Sequence, residues 1–268
     1  MKKIIIVLVL LLGFQSLKAQ EKEGYWGLAL GLRSQIVQDQ LITRSRYSGA
    51  PIYFMLNHER RKPKKLSNFQ FEGSVGPLKT REFEIGQNLG RYQQPQITSY
   101  WNEITYSSLF LLKVDERSDW WFGPSFSHLI HVRYSPRWDN SAINYDFSGN
   151  LQAELRYRRD FELFGKAMKG NIGLKLPIIG YISRPIYAGV PDFLDQERSF
   201  ESQLFENTSI SWLGNSPRIQ FDNFVEFPIA GGNKIQVIYN WEYYSFQDPN
   251  PVQTASHTFG INFLMRTK

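Results

Sequence analysis

From about residue 25 to residue 266 the chain is a succession of segments in which apolar and polar residues alternate, the period of a strand with two unlike faces. In KIQVIYNWEYYSF, Ile235, Val237, Tyr239, Trp241 and Tyr243 fall on one face, and Gln236, Asn240 and Glu242 on the other. The segment before it sets Ile219, Phe221, Val225 and Phe227 against Gln220, Asp222 and Glu226. In the terminal HTFGINFLMRTK, Phe259, Ile261, Phe263 and Met265 oppose Gly260 and Asn262. The pattern predicts ten strands, at approximately 25–36, 50–59, 66–77, 97–113, 119–134, 146–159, 169–183, 217–229, 233–247 and 254–266. Eight or twelve strands are the alternatives.

The connections alternate in length. RRKPKK, VDERS, a segment around Gly165 and AGGN are short, whereas 37–49, 78–96, 135–145, 184–216 and 248–253 are longer. Short turns at one rim and long loops at the other, with both chain ends on the turn side, are expected of an antiparallel transmembrane β-barrel. Each predicted strand is at least as long as the roughly 9–11 residues a tilted membrane strand needs. A soluble β-sandwich need not alternate loop length in phase with strand number. In the longest connection, Phe193, Leu194, Phe200 and Leu204 lie near helical spacing behind Asp192, which predicts a short capped helix.

The start, MKKIIIVLVLLLGFQSLKAQ, places Lys2 and Lys3 before an apolar run from Ile4 to Leu12, and Ala19 before a cut. Residues 1–19 therefore read as a cleavable export signal and 20–268 as one barrel domain. No later segment reaches the roughly 18 consecutive apolar residues of a membrane helix. With no cysteine, disulfides, thiol chemistry and an acylated lipoprotein anchor are excluded. The formal charge of +6 falls to +3 once Lys2, Lys3 and Lys18 leave with the signal. Arg60, Arg61, Lys62, Lys64 and Lys65 form the one dense basic cluster, read as a solvated turn and not a nucleic-acid patch. At 15% aromatic, the chain has enough Trp, Tyr and Phe for interfacial girdles.

The polar faces carry charge of both signs. Leu151, Ala153, Leu155 and Tyr157 oppose Gln152, Glu154, Arg156 and Arg158, and Lys175 lies between Leu174 and Leu176. With Glu72, Glu103, His131, Arg133, Asp222, Glu226 and Glu242, these are the candidate lumen charges. In so narrow a barrel, long side chains of opposite sign are expected to pair across the interior and block it. The alternative is a wetted path in which Arg156, Arg158 and Lys175 face Glu226 and Glu242.

Catalytic and metal signals are weak. His128 and His131 are three residues apart and fall on opposite faces, so they do not form a metal pair. Ser125 and Ser127 share a face with His131, and Asp139 and Ser141 follow in the next loop, but no triad spacing appears. His58 beside the basic turn and His257 ahead of the terminal alternation have structural or surface roles. Asp222, Glu226 and Glu242 read as ordinary wall residues in preference to an acid–base constellation. AGGN lacks the Lys and Ser or Thr of a phosphate loop and is a hairpin turn. No metal site, cofactor or nucleic-acid partner is expected.

The export signal, the alternating strands and HTFGINFLMRTK together resemble outer-membrane β-barrel proteins in general. The terminal strand resembles the signal read by barrel-assembly machinery, although the chain continues past Phe263 to Met265 and Lys268. The resemblance implies the outer membrane of a Gram-negative bacterium. It also implies contact with outer-membrane lipid, the assembly machinery during insertion, and a protein partner at the outer loops. Three roles follow as expectations: a scaffold, surface-interaction or accessory barrel with a narrow or filled charged lumen, a small ion or solute channel, or a lipid hydrolase using His131.

Overall fold

The computed structural model describes residues 23–80, 83–84, 92–93, 95–135, 143–185, 205, 207–247 and 250–267. Ten antiparallel strands follow the alternating segments. They are β1, Glu23–Asp39; β2, Arg46–Gly49 and Ile52–Lys62; β3, Lys65–Lys79; β4, Gln96–Val114; and β5, Ser118–Tyr134. Then come β6, Ile143–Leu163; β7, Lys166–Ser183; β8, Thr208–Ser211 and Arg218–Pro228; β9, Lys234–Phe246; and β10, Val252–Thr267. Each pairs with the next, and β10 pairs with β1 from Gly24 opposite Thr267 to Asp39 opposite Val252, so the sheet closes into a barrel. Closure removes the open edges that a sheet cannot carry into hydrocarbon. One circuit of the register climbs about 12 residues, the stagger that tilts the strands and sets the bore.

The turn end carries the short connections. Lys62 lies opposite Lys65, and Phe164 and Gly165 take positive φ values of 53° and 70° in a two-residue hairpin. Between β8 and β9 a single turn of 3₁₀ helix, Ala230–Gly232, uses positive φ at Gly231 and Gly232, so AGGN is a hairpin connection as expected. Several strands run beyond their predicted bounds: β1 reaches Asp39, and β6 spans Ile143–Leu163. The predicted signal at 1–19 and the predicted helix behind Asp192 lie outside the described residues, as do Asp139 and Ser141.

Two strands are interrupted. In β2, Ala50 and Pro51 break the ladder where proline has no N–H to give, while Pro51 O still accepts from Arg33 N at 2.9 Å. In β8, Thr208–Ser211 pairs only with β7, and the chain turns through Trp212–Ser216 before Arg218 resumes the wall. The Asn215 side chain stands in for a strand partner there. Its Nδ2 donates to Ile210 O at 2.9 Å, and its Oδ1 accepts from Trp212 N at 2.8 Å.

The two faces invert the usual order of a folded protein. Leu28, Leu30 and Leu32 on β1, Ile104 and Phe110 on β4, Phe126 on β5, Ile172 on β7, Val237 on β9, and Phe259 and Ile261 on β10 are all exposed. Apolar side chains therefore encircle the outside, a surface suited to hydrocarbon. Most buried positions are polar or charged instead. On the outer wall, Tyr181 lies across Gly149, where an added Cβ would come within 2.4 Å of its ring, and the Tyr181 hydroxyl reaches His128 Nδ1 at 3.1 Å.

Candidate functional site: the charged lumen

The alternation that exposes the leucines of β1 turns Arg33, Gln35 and Asp39 inward, and the same rule on the other strands fills the bore with ionised groups. Glu72, Glu103, His131, Arg133, Glu154, Arg156, Arg158, Lys175, Glu226 and Glu242 are all buried there, and Asp222 is half-buried among them. Charges taken out of water require partners, and the partners come from other strands.

At the loop end, Arg133 of β5 and Arg184, just past β7, bridge Asp39 of β1 and Asp146 of β6. Arg133 holds Asp146 through two bonds of 2.6 and 2.8 Å, with Asp39 Oδ2 at 2.9 Å. Arg184 reaches Asp146 Oδ1 at 2.7 Å and Asp39 Oδ1 at 3.0 Å, and also donates to Asn250 O. Asn144 adds a bond of 2.8 Å to Asp39. The four charged residues retain 0–1% of their surface, and they tie together the roots of four loops.

Below this quartet, Arg218 of β8 crosses to Glu103 of β4 at 2.6 Å and holds Glu242 of β9 at 2.6 Å, while Arg33 joins Glu242 from the other side. The Arg33 guanidinium lies 3.7 Å from the centre of the Trp101 ring. Gln220 donates to Glu103 at 3.2 Å and accepts from Gln152 at 2.9 Å, extending the bridge to β6. In mid-lumen, Lys175 holds Asp222 at 2.5 Å, and Arg156 holds Glu154 at 2.5 Å, which also accepts from Ser107 at 2.6 Å. At the turn end, Arg61 grips Glu226 through bonds of 2.9 and 2.6 Å and Glu59 at 2.5 Å. Lys234 joins Glu226 at 2.9 Å, and Arg158 lies 3.6 Å from Glu59 and 3.5 Å from Asp119.

Several expectations are corrected. Arg61 is not part of a solvated turn: β2 carries it onto the inward face, where Glu226 and Glu59 neutralise it. Arg156, Arg158 and Lys175 do not face Glu226 and Glu242, because the stagger of the barrel brings other residues level with them. Asp222, Glu226 and Glu242 each have their own cation and form no shared constellation. His257 lies within β10 on the outer face, beside the Tyr239 hydroxyl at 2.9 Å.

His131 does meet a serine, but it is Ser99 of β4, 2.9 Å from Nε2, and neither Ser125 nor Ser127. Ser125 bonds Ser107 at 3.2 Å, and Ser127 accepts from Arg218 at 3.2 Å. Arg133 Nη1, which can only donate, lies 3.0 Å from His131 Nδ1, and the Tyr244 hydroxyl meets the same nitrogen; taking Nδ1 as the acceptor assigns the ring proton to Nε2. Nε2 therefore donates to Ser99 Oγ, whose own proton is directed to Gln35 Oε1 at 3.0 Å. A serine nucleophile needs the opposite tautomer, with an unprotonated nitrogen facing the hydroxyl. His128 faces outward, so the two histidines are separated by the wall, and no metal-binding group of His, Cys, Asp and Glu occurs among the described residues.

Beyond the expected charges, the lumen also holds Arg33, Asp39, Glu59, Asp119, Asp146, Arg184, Arg218 and Lys234. Arg33 and Arg218 stand in phase with inward neighbours and were readable by the alternation. Asp39, Asp146 and Arg184 sit at strand ends, where the pattern fades.

No family model and no curated protein matches the chain. Among solved structures, it is similar to Ail, the attachment invasion locus protein of Yersinia pestis, at 10% identity and TM-score 0.33, covering 91% of this chain and 99% of that one. It is also similar to the beta domain of the Bordetella autotransporter Brka, at 9% identity and TM-score 0.37, covering 90% and 99%. The P. putida toluene transporter TodX matches at 7% identity and TM-score 0.27, covering 93% and 91%.

Proposed function

We propose that this chain is an integral outer-membrane barrel with a lumen closed by its own side chains, a membrane scaffold that acts through its loop end. The loop-end quartet carries this reading: Arg133, Arg184, Asp39 and Asp146 meet across the bore from four strands with almost no accessible surface. Paired charges held this way occupy the path that a permeating ion would need. The apolar exterior supports placement in a bilayer, and the N-terminal export signal and the loop asymmetry support the outer membrane with the long loops facing the medium. Outer-membrane lipid and the assembly machinery are the partners this placement requires, and a protein partner would engage the loops.

Single-channel recording of refolded protein in a planar bilayer tests the reading. Folded barrel is expected to be electrically silent, and reproducible current steps would replace the scaffold with the channel. The hydrolase reading has the Ser99–His131 geometry against it. Purified wild type and His131→Ala are expected to share the same absence of lipid turnover.

A further inference from the structure

The connections at the turn end differ in how they treat charge. Between β4 and β5, Lys113 reaches Asp115 at 3.0 Å, with Glu116 and Arg117 beside them. Between β6 and β7, Lys169 reaches Asp160 at 3.3 Å, with Glu162 and Lys166 beside them. The β8–β9 turn has no ionisable residue between Pro228 and Asn233, and Lys234 beyond it is held by Glu226. The β2–β3 hairpin breaks this pattern. It carries Arg60, Lys62, Lys64 and Lys65, and its own acid, Glu59, is turned into the lumen onto Arg61. Among the described residues, none of those four cations has a carboxylate within ion-pair distance.

The cations are also crowded together. Lys62 lies directly opposite Lys65 across the ladder, and alternation puts both on the outward face with Arg60. Like charges opposed on one face repel, so the fold holds positive charge here at a cost that an external anion relieves. The hairpin is fastened in place nonetheless. Lys64 O accepts from Leu111 N at 3.2 Å, and Lys65 Nζ stands 5.6 Å from the centre of the Phe110 ring. Immediately up the wall the surface turns apolar: Leu56, Phe69 and Phe110 are exposed, and the Trp26 and His58 rings lie 4.5 Å apart. The cations therefore stand at the border between the apolar band and water, where a bilayer places its phosphates.

We propose that the β2–β3 hairpin is a docking site for one anionic phospholipid of the periplasmic leaflet, its phosphate held among Arg60, Lys62 and Lys65 and its acyl chains laid along Leu56, Phe69 and Phe110. The proposal rests on the membrane placement given above and names the lipid that the turn end engages. Arg60 offers a planar fork to two phosphate oxygens, and the lysines act as point charges. Two features favour a lipid over a free anion: the cations project from the outer face and not into the bore, and the wall directly beside them is apolar. A net-negative headgroup is favoured over a zwitterionic one, because a zwitterion brings its own ammonium and returns a positive charge to the hairpin.

The test is native mass spectrometry of the refolded barrel, released from detergent micelles to which phosphatidylglycerol, phosphatidylcholine or inorganic phosphate has been added. The expected result is one phosphatidylglycerol retained at concentrations that leave no phosphatidylcholine bound. Lys62→Gln combined with Lys65→Gln is expected to weaken that binding by at least about tenfold. Lys166→Gln combined with Lys169→Gln removes the same charge from the β6–β7 turn and should leave the binding unchanged. Equal retention of the two lipids, or equal loss in the two double variants, would overturn the site in favour of diffuse charge. Displacement of the lipid by inorganic phosphate at equal concentration would overturn it in favour of a free anion. If the hairpin double variant does not fold, Arg60→Gln takes its place with the same expected direction. Insertion into phosphatidylcholine vesicles, scored by protection from protease, reports the membrane placement alone, so its failure and the failure of the lipid site are distinguishable.

Discussion

At the loop end of the lumen, two arginines and two aspartates from four parts of the chain share five nitrogen–oxygen contacts with almost no accessible surface. At the turn end, Arg61, Lys234 and Arg158 meet Glu226, Glu59 and Asp119 with comparable partners but greater access to water. The Lys234 and Asp119 side chains are 18% and 22% exposed, and Arg158 is held at ion-pair distances of 3.5 and 3.6 Å. Aromatic rings assist at this end, with Lys234 4.6 Å and Arg61 5.1 Å from the centre of Tyr25. The same chemistry thus acts as a lock where it is dry and as a looser collar where it is wet. In the dry case, removing one member strands its partners' charge; in the wet case, water takes the vacated place.

Breaking the dry end should cost most. Arg133→Met leaves Asp39 and Asp146 with one arginine between them and is expected to destabilise the barrel by about 3–5 kcal/mol, measured by urea titration of vesicle-inserted protein. Adding Asp146→Asn to that variant should recover part of the loss, and strict additivity would show that the quartet does not act as a unit. Arg61→Met at the turn end should cost about 1–3 kcal/mol, and raising the salt concentration should shrink that difference more than it shrinks the loss in Arg133→Met. Equal responses to salt at the two ends would remove the distinction between them. On the outer wall, Gly149→Ala must displace the Tyr181 ring and is expected to cost about 1–3 kcal/mol without affecting either cluster. The exposed pair Lys113–Asp115, 3.0 Å apart, marks the lower limit, and Lys113→Ala should leave the urea midpoint unchanged.

The contrast also explains what could be read in advance. Alternation located the ten strands because a lipid-facing position and a lumen-facing position make opposite demands, and the phase of Leu28, Leu30 and Leu32 puts Arg33 on the opposite, inward face. Pairing could not be read that way. Arg218 finds Glu103, 115 positions earlier in the chain, because strand tilt brings β4 and β8 to one level. That level depends on the accumulated register of all the intervening ladders, including the irregularities at Leu111/Lys113 and Pro177/Ile179. The loop-end quartet was hardest to see because Asp39, Asp146 and Arg184 stand where the apolar exterior stops and one half of the alternating signal is lost. Arg61 was hidden for the opposite reason, a surplus of neighbouring basic residues that resembled a solvated turn.

The interruption in β8 bears on how the chain can be lengthened. The hydrogen bonds that close the turn, from Asn215 and Ser216 to Ile210 and Trp212, all span Leu213 and Gly214, so residues spliced between those two would part the Asn215 amide from the groups it closes. The wall from Arg218 onward is registered by its own ladders with β7 and β9, so a longer turn here would have to bring a cap of its own for Ile210 and Trp212 while leaving those ladders in place.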